Sequence, residues 1–334
     1  MSGLLRSAYL HSRGGCRYED RFYRMRKPCT LIFLVLVCAA VSRAQQAPAQ
    51  TQAESTLKVD VKLVNVYVTV TDAHGAPVAG LKKENFRVQE DGLDQTISVF
   101  DKESALPLSI ALAIDTSLST RHDLPLEQAS AKRFARAILR PVDALSVFGF
   151  SETVLQSTSY TAEMRRIEEG IDHIRLGAAT ALFDAVYLAS RSLDRRQGRK
   201  VMVLITDGGD TVSKMSYKEA VRAAEEAEAI VYSIIVVPIE SSAGRETGGE
   251  HALIQISEDT GGKYYYATSM PQLDEAFRQI SDELRTQYLL AYYPSQRLSN
   301  SQFRRIQVGL TGQSEPTSYH VRHRAGYYTT KSDF

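Results

Sequence analysis

The chain has 334 residues, of which 43% are hydrophobic and 24% charged, so it can bury a sizeable core and is long enough for two folded units. Its 40 Lys and Arg residues balance 39 Asp and Glu residues, which leaves a formal net charge of +1. So little net charge creates no long-range field that would gather nucleic acid or an anionic membrane surface, and neither is an expected partner.

The first predicted segment is a secretory signal peptide over residues 1–44. Three basic residues at 24–27 precede an apolar run at 31–41, and small residues occupy the −3 and −1 positions of a cleavage site after Ala44. The apolar run is too short to span a bilayer stably, although an uncleaved signal would tether the protein to the inner membrane. Met25 is an alternative start that would give a more typical signal.

Export is consistent with how the chain uses cysteine. Cys16, Cys29 and Cys38 all precede the predicted cleavage site, so the mature protein would contain no cysteine and could enter an oxidising compartment without disulfide chemistry. The Gln/Ala/Pro-rich residues 45–55 predict a flexible leader. We therefore expect a periplasmic or secreted protein.

Residues 56–104 are predicted to form a small N-terminal β unit. Apolar and polar residues alternate through "LKVDVKLVNVYVTVTD" and "ENFRVQEDGLDQTISVF", with turn signals at "AHGAP" and at Asp91-Gly92. Alternation of this kind between Gly and Asp turns is typical of half-buried antiparallel strands.

Strands and helices alternate in residues 107–287. Near-continuous apolar stretches such as "LSIALAI", "ALSVFGF" and "KVMVLIT" are separated by amphipathic helical stretches, one at 217–229 and the last at 271–285. Buried strands linked by helices indicate a mostly parallel sheet with helices on both faces, a doubly wound α/β domain.

Alternation returns in residues 288–330, where "TQYLLAYYP", "FRRIQVGL" and "SYHVRHR" predict three more strands. The two β segments have about 45 residues each, which is small for an independent domain. They could combine into one antiparallel β-sandwich with the α/β domain inserted between them.

Several common catalytic and nucleotide-binding motifs are missing from the sequence. It contains no GxxxxGK, GxGxxG, HExxH or GxSxG. Their absence argues against the usual nucleotide-binding, metalloprotease and serine-hydrolase functions.

Side chains that carry oxygen instead collect where strands of the predicted α/β domain end or helices begin. These candidate metal-site residues are Asp115, Ser117, Ser119, Thr180 and Asp207. Ligands of open α/β sheets bind outside the carboxyl ends of the strands. A set of oxygen ligands without sulfur or imidazole suits a hard cation, Mg²⁺ or Mn²⁺, rather than zinc.

The order of these residues resembles a known motif. "DTSLS", the Thr of "GAATALFDA" and the Asp of "ITDGGD" are similar to the metal-ion-dependent adhesion site of von Willebrand factor type A (VWA) domains, Asp-x-Ser-x-Ser followed by Thr and Asp. The resemblance covers about residues 107–287 and implies a Rossmann-like sheet. The flanking segments resemble those of exported VWA-related proteins abundant in acidobacteria.

The resemblance also implies a role for each residue. Ser117 and Ser119 would bind a metal directly through their hydroxyl groups, and Thr180 would bind it directly or through water. Asp115 and Asp207 would hold the ion mainly through water and hydrogen bonds to the serines. Because no carboxylate would then touch the ion, a coordination position would remain open for an Asp or Glu of a protein partner.

The loops around the ion are expected to choose the partner. Residues 238–251 follow a strand and are rich in Gly, Ser and Glu, and Glu240, Glu246 or Glu250 could occupy the open position as an internal ligand. Leu118 stands where many relatives carry Gly. The resemblance further suggests that the last helix of the α/β domain could couple metal occupancy to the β unit.

Two alternative functions stay open at this point. One is a Mg²⁺-dependent phosphatase-like hydrolase of the haloacid dehalogenase type with Asp115 as nucleophile, although Ser117 stands where that chemistry needs a second Asp as general acid. The other is a structural envelope component in which the metal only rigidifies the fold. The expected function is an exported, non-enzymatic, metal-dependent protein-binding module.

Overall fold

The computed structural model describes residues 63–102, 106–120, 124–237, 247–296, 302–311 and 319–329, without the side chains of Ser119 and Thr247. The predicted signal peptide, 1–44, and leader, 45–55, lie outside these residues. Within the described ranges, no helix has the length and apolar character needed to cross a membrane.

The described residues form fourteen strands in three sheets. The strands are β1 (Val64–Asp72), β2 (Phe86–Glu90), β3 (Leu93–Gln95), β4 (Ile97–Lys102), β5 (Leu108–Asp115), β6 (Ala144–Phe150), β7 (Val154–Thr161), β8 (Arg199–Thr206), β9 (Ala229–Val236), β10 (Tyr264–Ala267), β11 (Tyr288–Tyr292), β12 (Phe303–Leu310), β13 (Tyr319–Arg322) and β14 (Gly326–Tyr328). The α-helices of the same ranges are α1 (Leu124–Ile138), α2 (Met164–Asp172), α3 (Leu182–Asp194), α4 (Tyr217–Glu226), α5 (Thr247–Asp259) and α6 (Met270–Thr286).

The central sheet has the strand order β10-β9-β8-β5-β6-β7. All neighbouring strands are parallel except β7, which runs antiparallel to β6 at one edge. Every residue of β5 is buried, because helices cover both faces of the sheet. This confirms the predicted doubly wound, mostly parallel α/β domain.

Two hydrophobic cores lie on opposite faces of this sheet. Alternate residues of β5 point to opposite sides, so Ile110 and Leu112 join the core under α1 and α6, whereas Ala111 and Ala113 join the core under α3, α4 and α5. The small alanines let α3 approach the sheet closely. The rings of Phe134 and Phe277 stack 4.6 Å apart between α1 and α6.

The other two sheets form the antiparallel β-sandwich predicted to flank this domain. Their strand orders are β13-β1-β11-β4 and β14-β12-β2-β3. Strands from before and after the α/β domain pair directly, for example β1 with β11 and β2 with β12. Apolar residues of both sheets form one core, so the chain builds the sandwich from two segments separated by the α/β domain.

Buried polar contacts join the sandwich to the α/β domain. Arg199, at the start of β8, is only 2% exposed and donates hydrogen bonds to the Leu284 carbonyl (2.7 Å) and to Gln287 Oε1 (2.6 Å). Gln287 in turn donates to Thr69 Oγ1 of β1 at 3.1 Å. The end of α6 is thereby held between a strand of each unit.

Candidate functional site

Three loops form the candidate site: two leave the central sheet at the carboxyl ends of parallel strands, and one joins α2 to α3. The first follows β5 and contains Ser117, the second precedes α3 and contains Thr180, and the third follows β8 and contains Asp207. Because β5 is hydrogen-bonded to β8 in parallel, the first and third loops emerge side by side at one edge of the sheet.

Asp115 is the last residue of β5, and its side chain connects the first and third loops. It is fully buried. Its Oδ1 accepts a hydrogen bond from the Ser117 backbone N–H at 2.9 Å, and its Oδ2 accepts one from Thr206 Oγ1 at 2.6 Å. Thr206 Oγ1 also accepts the Gly208 N–H at 3.1 Å. The carboxylate therefore fixes the turn that carries Ser117 and the start of the loop that carries Asp207.

Burial raises the pKa of Asp115 to about 6. Hydrogen bonds from Thr206 and Ser117 to the ionised carboxylate oppose this increase, and the negative charge of Asp207 adds to it. The Asp115 carboxylate is therefore costly to ionise in the absence of a nearby cation.

The second loop is tied to the first by its backbone. Gly177 donates its N–H to the Thr116 carbonyl at 2.8 Å, and the Ala178 N–H is donated to Glu152 Oε2 at 2.8 Å. A β-carbon at Gly177 would lie 2.2 Å from Ser151 Oγ, so the close approach of this loop to β6 requires glycine.

Thr180 connects the second loop to the third. Its N–H is donated to Thr211 Oγ1 at 2.9 Å, and its carbonyl accepts the N–H groups of Thr211 (2.8 Å) and Val212 (3.2 Å). Its side chain is buried. Within the part of the chain that the structure describes, the Thr180 hydroxyl makes no hydrogen bond, so its oxygen is available to a ligand.

Asp207 is half-buried at the start of the third loop. Its Oδ1 accepts the Gly209 N–H at 3.3 Å. Gly208 has φ +93°, a conformation that favours glycine, and its position lies against the backbone of Glu250. The loop is thus packed between the sheet edge and the first turn of α5.

Two further aspartates, Asp210 of the third loop and Asp184 in the first turn of α3, accept hydrogen bonds from backbone groups near the site. Asp210 Oδ1 accepts hydrogen bonds from the Leu182 N–H at 2.8 Å and from the Ser213 hydroxyl at 2.5 Å. Asp210 therefore provides an acceptor for a free N–H group in the first turn of α3, although it belongs to another loop. Asp184 Oδ1 accepts the N–H groups of Lys214 and Met215. Both carboxylates are engaged by backbone donors.

Glu250, one of the three residues expected as an internal ligand, lies in the first turn of α5. Its carboxylate accepts a hydrogen bond from the hydroxyl of Tyr266, a residue of β10. Glu240 and Glu246 lie outside the described residues.

The structure thus brings Asp115, Ser117 and Asp207 onto adjoining loops and ties Thr180 to the same network. The side chain of Ser119 lies outside the described part of the chain. The residues that connect the loops, Thr206 and Thr211, escaped the sequence analysis, although each directly flanks the "DGGD" segment.

The donor set fits a hard cation. Its side chains supply hydroxyl and carboxylate oxygens, the ligand type that Mg²⁺ and Mn²⁺ prefer. Among the described residues no group of three or more His, Cys, Asp or Glu side chains is placed to hold a metal, so a cation at this edge would depend on hydroxyl ligands.

The comparisons with known proteins give one family and several similar folds. A family model described as von Willebrand factor type A domain matches residues 109–279. No curated protein sequence matches the chain.

Similar solved structures include three bacterial proteins. A von Willebrand factor type A protein from Catenulispora acidiphila is 11% identical, with a TM-score of 0.48, over 76% of each chain. BatB from Bacteroides thetaiotaomicron, a conserved hypothetical protein, is 20% identical over 54% of this chain and 100% of its own, with a TM-score of 0.44. The vWF domain of the type V pili tip protein Mfa5 from Porphyromonas gingivalis is 10% identical over 53% of this chain and 95% of its own, with a TM-score of 0.43.

The family match begins within β5, ends within α6 and includes all three loops of the candidate site. It spans just over half of the 334 residues. The chain therefore belongs to the von Willebrand factor type A domain family.

Proposed function

We propose that this protein is an exported binding module that captures an acidic side chain of a partner protein with the help of a divalent cation, Mg²⁺ or Mn²⁺. Ser117, Ser119 and Thr180 would hold the cation through their hydroxyl oxygens, while Asp115 and Asp207 would support it through water and hydrogen bonds. The bound cation would supply an open coordination position for an Asp or Glu of the partner.

One observation carries this proposal. Hydrogen bonds through Asp115 and Thr206 join the Ser117 loop to the Asp207 loop, and Thr211 joins the latter to Thr180. Residues far apart in sequence are thereby collected at the ligand-binding edge of an open α/β sheet.

The environment of Asp115 favours binding over hydrolysis. A nucleophilic carboxylate has to reach the atom that it attacks. Asp115 is fully buried, and each of its two oxygens accepts a hydrogen bond within the protein. Turnover of a phosphate ester that is lost in Asp115→Asn but retained in Ser159→Ala would support the hydrolase instead.

Export is proposed from the predicted signal peptide at residues 1–44 and from the absence of cysteine beyond it. The periplasm and the cell exterior are the two compartments that fit. Detection of the protein in cell fractions, with its N-terminus sequenced, tests both the location and the cleavage after Ala44.

Calorimetric titration of the full chain with MgCl₂ tests the metal site. We expect the wild type to bind Mg²⁺ and Ser117→Ala to bind it at least tenfold more weakly, because one direct ligand is lost. Ser159→Ala is the matched control, since Ser159 is an exposed serine on the edge strand β7. Equal Mg²⁺ affinity of all three proteins would contradict the proposed site.

The partner is tested by capture from envelope extract of the parent organism, with Mg²⁺ or with chelator. The proposal predicts a partner that is retained only with Mg²⁺ and only by proteins with Ser117 intact. If chelation lowers the melting temperature but leaves capture unchanged, the metal is structural and the protein is an envelope component.

A further inference from the structure

Three large apolar side chains are exposed beside the candidate site. Leu118 is 56% exposed, Leu176 is 45% exposed and Val212 is 44% exposed. Single exposed apolar residues are common on protein surfaces. These three differ because each lies on a different one of the three loops that carry the proposed metal ligands.

The backbone places each of them beside a residue of the site. Leu118 directly follows Ser117 in sequence. Leu176 precedes Gly177, whose N–H is bonded to the Thr116 carbonyl, and the Val212 N–H is bonded to the Thr180 carbonyl. The three exposed side chains therefore lie on the same loops that form the site, and we call them the apolar rim.

Two basic side chains lie next to this rim in sequence. Arg175 precedes Leu176, and Lys214 follows Val212 by two residues; both side chains are exposed. Neither forms an ion pair within the part of the chain that the structure describes. Their charge complements an acidic partner, and they would attract one over a distance comparable to the screening length.

We propose that the partner segment presents an acidic residue adjacent to a large apolar side chain, and that this apolar side chain packs on the rim formed by Leu118, Leu176 and Val212. This inference rests on the proposed capture of an acidic residue by the cation. The cation binds the acidic residue of the segment. The rim favours acidic segments that also carry a large apolar side chain, because such a side chain and the rim bury apolar surface against each other, which a polar side chain would not do.

The test is a selection from a random-peptide display library on the full chain in Mg²⁺, in parallel with the triple variant Leu118→Ser, Leu176→Ser, Val212→Thr. We expect peptides selected on the wild type to carry Asp or Glu with a large apolar neighbour. A synthesised selected peptide should bind the triple variant about tenfold more weakly, the loss expected for one apolar side chain left exposed. Mg²⁺ titration of the triple variant shows that it is folded and able to bind the metal.

Leu93→Ser is the matched control. Leu93 is 44% exposed and belongs to β3 of the sandwich, away from the site. We expect this variant to bind the selected peptide as tightly as the wild type.

The possible outcomes separate the two proposals. Selected peptides that share an acidic residue but no apolar neighbour, with equal affinity for the triple variant, would overturn the role of the rim and leave metal-dependent capture intact. Binding that persists with chelator, or peptides without a shared acidic residue, would overturn the proposed function itself. A selection without enrichment would overturn both.

Discussion

At Gly177, the loop that carries Thr180 lies directly against the end of β6. A β-carbon there would lie 2.2 Å from Ser151 Oγ and 2.4 Å from Ser151 Cβ. Both distances are shorter than non-bonded atoms can approach, so the loop or Ser151 would have to move. We predict that Gly177→Ala lowers the free energy of unfolding by about 1–3 kcal/mol. It should also weaken Mg²⁺ binding, because Thr180 is displaced with its loop. Urea denaturation and calorimetric titration measure the two effects.

Gly309→Ala is the control for this substitution. A β-carbon at Gly309 in β12 meets no atom within 4 Å, so this variant should be as stable as the wild type. Equal urea midpoints for Gly177→Ala and the wild type would contradict the close packing of this loop.

His323 makes stability depend on pH. Its Nε2 accepts the Val308 N–H at 3.1 Å, and its Nδ1 lies 2.8 Å from the Arg324 carbonyl. Burial lowers the pKa of His323 below its ordinary value of 6.5. The unfolded chain therefore binds this proton at a higher pH than the folded protein does, and stability falls as the pH decreases through 6.5.

Urea denaturation at a series of pH values tests this prediction. His323→Gln keeps a hydrogen-bond acceptor but cannot be protonated, so its stability should decrease less than that of the wild type on acidification below pH 6.5. The comparison removes contributions from other groups, such as Glu225, whose pKa burial raises to about 7 and which acts with the opposite sign. Parallel curves for the two proteins would contradict the assignment to His323.

At the scale of elements, the start of α3 depends on a loop distant in sequence. The residue before α3, Ala181, has no side chain that can cap the helix, and Asp210 and Ser213 accept hydrogen bonds from the first N–H groups instead. We predict that Asp210→Ala lowers the free energy of unfolding by about 1–2 kcal/mol, the usual contribution of a helix cap. Asp194→Ala at the other end of α3 should not destabilise, because a negative charge is unfavourable at a helix C-terminus. A stable Asp210→Ala variant would contradict this role.

The sequence predicted the type of most elements because their hydrophobic periodicity is strong. Helix α4 was predicted over 217–229, and the structure ends it at Glu226. Glu228 adopts φ 55°, and Ala229 already pairs with Lys200 in the sheet. The helical propensity of the Ala/Glu run favoured a longer helix, but strand pairing, which depends on residues remote in sequence, ended it earlier.

For the candidate site, the sequence indicated which oxygen-bearing residues follow strands, because the order of strands and helices determines the edge of the sheet on which they lie. It did not indicate how the loops are connected. Thr206 and Thr211 resemble many other threonines in sequence, and only the juxtaposition of β5 and β8 and of the two loops makes them hydrogen-bond partners of Asp115 and Thr180.

At the scale of the whole molecule, an ion pair with a buried carboxylate joins the sandwich to the α/β domain. Glu283 of α6 is 2% exposed and lies 2.6 Å from Arg322 of β13. Glu283→Gln would leave the charge of Arg322 without its partner, so we predict a loss of about 2–4 kcal/mol in the free energy of unfolding. Glu275→Gln, which breaks an exposed pair with Arg278 on the same helix, should change stability little. Equal effects of the two substitutions, measured by urea denaturation, would contradict a buried junction.

The hypothesis that α6 couples the metal site to the β unit remains a prediction. The structure shows that the end of this helix is held by Arg199 and Arg322, so its carboxyl end belongs to the junction. The order of the sandwich strands could not be predicted from the sequence, because alternation of apolar and polar residues indicates a strand but not which strands are its neighbours.

The central claim is that hydroxyl groups of two loops, supported by Asp207 of a third, hold one divalent cation. It is tested most directly by a crystal structure of the protein grown with Mn²⁺, with an anomalous difference map calculated at the manganese absorption edge. We predict a single strong peak in direct contact with the hydroxyl oxygens of Ser117 and Ser119, close to Thr180 and Asp207. A map without a peak at this edge of the sheet, at saturating Mn²⁺, would contradict the account.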